Sequence, residues 1–176
     1  RQYLPRAKSK RGWRGSKGGS PVEHIRERVS IARRPAHVET RRQPGHWEAD
    51  LMLFSRYGQA VLALHERRSR VTAILRLPGK AAAPAADTLI AVLAPLPSHL
   101  RHTITFDNGT EFAHHYLLHQ TLDMKTFFCD PHAPWQKGGI ENAIGRMRRF
   151  IPRKTALAIL PAKRLEGHVP MMKNKG

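Results

Sequence analysis

Between Gly45 and Leu77 the chain offers three consecutive runs suited to a sheet, and this succession restricts the fold more than any other feature. The segment HWEADLMLF sets Trp47, Ala49, Leu51 and Leu53 on one side and Glu48, Asp50 and Met52 on the other, the period-two alternation of a strand. QAVLALHE and SRVTAILRL follow as β-branched and apolar runs. The charged stretch Glu66 to Ser69 separates them, which suits antiparallel neighbours joined by a turn. A three-stranded meander is expected.

The period then changes. Residues 81–96 turn to Ala and Leu, with Leu89, Val92 and Leu93 at helical spacing and Pro95 and Pro97 ending the run. HTITFD reads as a fourth strand, NGT as a turn, EFAHHYLLHQTLD as a second helix and KTFFCD as a short fifth strand. PHAPWQKGG is too rich in Pro and Gly for regular structure, whereas Ile140, Ala143, Ile144, Met147 and Ile151 form one helical stripe. A meander followed by alternating helices and strands predicts an α/β architecture, a mixed sheet with helices on its faces.

Charge narrows the partner. The 176 residues hold 31 Lys and Arg against 13 Asp and Glu, a formal charge of +18, which asks for a polyanion. Residues 1–44 carry 13 of those cations against 3 acids. Their opening, RQYLPRAKSKRGWRGSKGGS, has no sustained period and reads as an extended or disordered arm, either a solvated linker or a segment that tracks phosphates. VEHIRERV, at 22–29, reads as a short helix that SIARRP ends at Pro35. The expected organisation is a basic arm or linker over 1–44, a core over 45–160 and an irregular tail over 161–176.

No 18-residue apolar run and no secretory pattern are present, so no membrane partner and a cytoplasmic location are expected. The start at Arg1 inside a basic stretch is read as that of a fragment. The single Cys129 leaves no internal disulfide or cysteine zinc site, and its apolar strand marks it as a small buried hydrophobe.

Three acids are costly to explain as ordinary surface. Asp50 sits mid-strand, where a carboxylate must be paired, solvated or bound to a cation; a salt bridge from Arg67, Arg68 or Arg70 would also satisfy it. Asp107 ends the HTITFD strand, where α/β sheets place ligands, though an Asp before Asn-Gly also makes an Asx-turn. Glu141 opens the basic amphipathic helix, where a carboxylate also suits the helix dipole. Gathered at one sheet edge, the three would repel unless a divalent cation sat among them, and hard oxygen donors favour Mg²⁺ or Mn²⁺. Acid concentrated at one point of a basic protein suggests a two-metal phosphodiester enzyme.

The strings GHWEAD, TFDNGTEFAHH and FFCDPHAPWQKGGIENAIGRMRRFIP resemble the catalytic domain of DDE transposases of the insertion-sequence-thirty family, within the retroviral-integrase-like superfamily. YLP, KRG and SIARRP are similar to it as well, so the resemblance covers about residues 1–160. It implies an RNase H-like fold with a mixed five-stranded sheet, and places the acidic triad at Asp50, Asp107 and Glu141, the last two separated by 33 residues as in the family.

It further implies two Mg²⁺ or Mn²⁺ ions held by the triad, hydrolytic nicking of double-stranded DNA at transposon ends, and strand transfer by the freed 3′-hydroxyl into target DNA. A homo-oligomer on DNA, associated with the bacterial nucleoid, is the implied assembly. Lys137, Asn142, Arg146, Arg148 and Arg149 are expected at the DNA, and Asn108, Glu111 and His132 as support for the acids. Trp135 is expected to pack under the Pro-rich loop. The alternative is a catalytically inactive DNA-binding remnant that interferes with a full-length enzyme.

Overall fold

The structure, a computed structural model, describes residues 25–54, 60–77, 82–131 and 133–155. The first 24 residues of the expected arm, the 161–176 tail and His132 lie outside them. Five strands, β1 (His46–Leu53), β2 (Ala60–Glu66), β3 (Thr72–Arg76), β4 (Thr103–Phe106) and β5 (Lys125–Phe128), form one sheet in the order β3-β2-β1-β4-β5. The meander β1-β2-β3 is antiparallel, while β4 joins β1 and β5 joins β4 in parallel. Parallel neighbours need crossovers, and α1 (Ala82–Leu93) and α2 (Tyr116–Leu122) lie in the connections that lead to β4 and β5. This is the RNase H-like fold that the resemblance implied.

The alternation in β1 sorts the two faces. Trp47 and Ala49 join Leu62, Leu64, Ile104 and Phe106 under Leu89, Leu93, Leu118 and Leu122 of α1 and α2. Met52, Val61, Ala63 and Ile74 face the other way, where Ile140, Ala143 and Met147 of α3 (Gly138–Phe150) cover them. Glu48 and Asp50 share this second face, so the polar side of the β1 pattern looks toward α3.

Two local expectations are corrected. Residues 25–29 are not helical: Glu27 has a φ of 55°, Val29 O accepts the Phe128 amide, and Ser30 bridges β5. Edge pairing with β5 and burial of Ile25 outcompete a short helix with few apolar positions. PHAPWQKGG is also more regular than its composition suggests, since a 3₁₀ turn over Pro134–Lys137 runs directly into α3. The segment that follows the missing helix docks as well, through 3₁₀ turns at Ile31–Arg33 and Ala36–Thr40, with Val38 buried.

Candidate active site

Register brings the two aspartates together. Trp47 pairs with Ile104 and Glu48 with Thr105, so continuing two residues along the parallel β1-β4 ladder sets Asp50 beside Asp107. Both side chains therefore leave the sheet on the α3 face. Lys137, the last residue before α3, reaches back between them: its Nζ lies 3.0 Å from Asp50 Oδ2 and 3.4 Å from Asp107 Oδ2. At 3% exposure this ammonium is an internal counter-ion, so the cation expected at the DNA faces the carboxylates instead. Asp50 is thus partnered by Lys137, not by Arg67, Arg68 or Arg70.

Burial pushes the Asp50 carboxyl above its ordinary value; Lys137 opposes the rise and Asp107 adds to it. Asp50 Oδ1 accepts the Leu51 amide, and Asp107 Oδ1 accepts the Gly109 amide at 3.1 Å, the Asx-turn anticipated for that residue. Glu111 is a fourth acid here, its carboxyl raised chiefly by burial and further by Asp107 and Asp50. Burial lowers the Lys137 ammonium, but the two aspartates outweigh it, so the group stays charged with a raised pKa.

Glu141 stands in the first turn of α3, exposed, and shares an open cleft with Asp50, walled by Leu51, Leu53, Ile144, Gly145, Arg148 and Arg153. Asp50 therefore borders both neighbours, Asp107 through Lys137 and Glu141 across the cleft. Among the described residues no three acid, His or Cys side chains are close enough together to hold one metal ion. The donors nonetheless suit a hard cation: Asp50 and Asp107 already converge on one positive charge, and Glu141 shares a cleft with Asp50.

The remaining expected residues divide by exposure. Asn142, Arg146 and Arg149 are exposed on the outer side of α3. Arg148 folds back, donating to Leu53 O at 2.8 Å and lying 4.8 Å over the Phe54 ring. Asn108, expected as support for the acids, accepts from Arg28 Nε and donates to Cys129 O, tying the ends of β4 and β5 together. Cys129 is buried, and burial pushes its thiol up to about 11, as suits an inert hydrophobe. Trp135 is not packed under its loop but 73% exposed.

Glu48 was legible only as a strand position. It is 0% exposed, with Oε1 2.5 Å from Arg67 Nη1 and Oε2 accepting the Ile140 amide at 2.8 Å. A buried carboxylate thus meets the free amides and positive dipole of the α3 N-terminus. The available signal was its spacing: an acid two residues before Asp50 shares that residue's face.

Comparison with known proteins finds transposases of insertion sequences. No family model matches the chain. The transposase for IS1086 of Cupriavidus metallidurans is 38% identical over 163 residues, 93% of this chain and 48% of the relative. The IS30C transposase InsI of Escherichia coli is 38% identical over 159 residues, 89% of this chain and 41% of the relative. The transposase for IS4351 of Bacteroides fragilis is 36% identical over 152 residues, 86% and 46%. Over most of its length the chain is similar to transposases of the IS30 family. It spans about half the length of the curated relatives it matches.

A solved structure agrees with the fold of this chain. A chain of the simian T-cell lymphotropic virus intasome, solved with PP2A regulatory subunit B56 gamma, superposes with a TM-score of 0.51 at 16% identity, over 65% of this chain and 45% of that one. The catalytic core domain of BIV integrase gives a TM-score of 0.49 at 18% identity, over 60% and 67%.

Proposed function

We propose that this chain is the catalytic core of a DNA transposase, a polynucleotidyl transferase that nicks transposon ends and joins the freed 3′-hydroxyl to target DNA. The observation that carries this reading is the pairing of Asp50 and Asp107 on one buried cation, beside a cleft that Asp50 shares with Glu141. Two aspartates held side by side by a parallel register are costly unless the site has a use for concentrated negative charge.

In this reading Asp50, Asp107 and Glu141 would hold Mg²⁺ or Mn²⁺, which would supply Lewis-acid stabilisation of the charge on the attacking and leaving oxygens of an in-line displacement. Lys137 keeps the aspartates close and electrically balanced before the site is loaded. Arg146, Arg149 and Asn142 hold the phosphate backbone from the exposed side of α3, and the net charge of +18 draws the DNA in. Partner copies assembled on the DNA complete the proposal.

The test is nicking of labelled double-stranded DNA with Mg²⁺ or Mn²⁺, compared with Asp107→Asn. Cleavage that disappears in the variant while DNA binding persists is the expected result. Binding without cleavage in both proteins supports the second reading, an inactive DNA-binding remnant. Lys137 favours that alternative, because its ammonium already fills the space between the aspartates.

A further inference from the structure

A chain of polar contacts runs behind the three acids. From α3, the Ile140 amide donates to Glu48 Oε2, and Glu48 Oε1 pairs with Arg67 Nη1. Arg67 Nη2 donates to Glu39 Oε2 at 3.0 Å, the other oxygen of Glu39 pairs with Arg34 Nη2, and Arg34 Nη1 donates to Thr105 Oγ1 at 2.8 Å. Arg34, Arg67 and Glu48 are buried, and Glu39 is open to solvent. The three points at which this chain grips the fold are not random: Glu48 lies two residues before Asp50, Thr105 two before Asp107, and Ile140 one before Glu141.

We propose that Arg34, Glu39, Arg67 and Glu48 are positioning residues that set the three acids against one another, which makes the Ser30–Thr40 segment a working part of the site. The inference rests on the transposase reading for its activity arm alone. Residues two apart on a strand share a face, so fixing Glu48 and Thr105 fixes the direction in which Asp50 and Asp107 leave the sheet. Holding the Ile140 amide fixes the first turn of α3, and with it Glu141. A guanidinium is a planar fork, so Arg67, gripped at both terminal nitrogens, transmits the position of Glu39 to Glu48.

Glu39→Gln is the safer variant because its side chain is 62% exposed. Glu48→Gln is the sharper one: an amide has a single acceptor oxygen, so it satisfies either Arg67 or the Ile140 amide but not both. Two readouts are taken on folded protein checked by circular dichroism: amide hydrogen exchange by residue, and nicking rate against DNA concentration. The expected result for both variants is exchange at Ile140 and Glu141 about tenfold faster, with kcat down about tenfold and KM unchanged. A merely structural Glu39 would loosen only residues 31–40 and leave Ile140 and Glu141 unaltered, and that pattern overturns the proposal. If wild-type protein nicks no DNA, the transposase reading falls, while the exchange result still decides the network.

Discussion

His46 shows how single side chains set the pH range of this fold. Its ring is buried, with Nδ1 2.8 Å from Thr103 Oγ1, and its pKa is lowered from 6.5 to about 4. Burial is the main cause; His102, His37 and Arg67 add to it and Glu66 opposes it. Between pH 6.5 and about 4 the unfolded chain holds a proton at this ring that the folded chain refuses. The contribution is therefore intact above pH 6.5 and is lost as pH falls toward 4. Asp50 and Glu111, raised by burial, act in the opposite sense, so the clean readout is a comparison with His46→Gln. The urea midpoint of the parent is expected to drop more between pH 7.5 and pH 5 (about those values) than that of the variant, which itself is less stable at neutral pH by about 1 kcal/mol. Equal drops would remove His46 from the account.

At the scale of elements, α3 matters most, because it carries Glu141 and closes the second face of the sheet. Its seat depends on Gly139, where an added Cβ would lie 2.8 Å from Glu48 Oε2 and 3.1 Å from His65 Cδ2. Neither neighbour yields cheaply, since Glu48 is fully buried and tied to Arg67. Gly139→Ala is expected to lift the start of α3, costing about 1–3 kcal/mol and at least about tenfold in nicking. Gly138→Ala, with nothing within 4 Å of its added Cβ, is the control expected to be neutral or stabilising. Thermal melts and nicking rates of the two variants make the comparison, and like behaviour of the pair would contradict it.

The strands and the α3 stripe were readable because they obey simple periods: Trp47 and Ala49 against Glu48 and Asp50, and Ile140, Ala143 and Met147 on one side. The start of α3 was not, since Gly138 and Gly139 are poor helix formers whose place is set by the Glu48 carboxylate below them. Likewise no local rule reveals that Arg34 reaches Thr105, 71 positions away, or that Lys137 rather than a neighbouring arginine answers Asp50. The three acids stood out through spacing and resemblance; the contacts that hold them are long-range and become visible only in three dimensions.

For the whole molecule, the balance is between an acidic point and a basic surround. Arg146 and Arg149 lie exposed on α3, the helix that carries Glu141. Each phosphate they neutralise releases counterions, so replacing both with Gln is expected to flatten the slope of log K against log salt by about 1.8 while leaving the fold intact. Fluorescence anisotropy across a salt series measures it, and an unchanged slope would place the DNA elsewhere. No described helix is long and apolar enough to cross a membrane.

In the proposed reading Asp50 and Asp107 form a cation site that Lys137 fills until a metal arrives. Anomalous diffraction from crystals of the chain soaked in Mn²⁺, with DNA bound, is the decisive measurement. A manganese peak between Asp50 and Asp107 is expected, with the Lys137 ammonium displaced from both. An empty space between the aspartates, with Lys137 still seated there at saturating Mn²⁺, would contradict it.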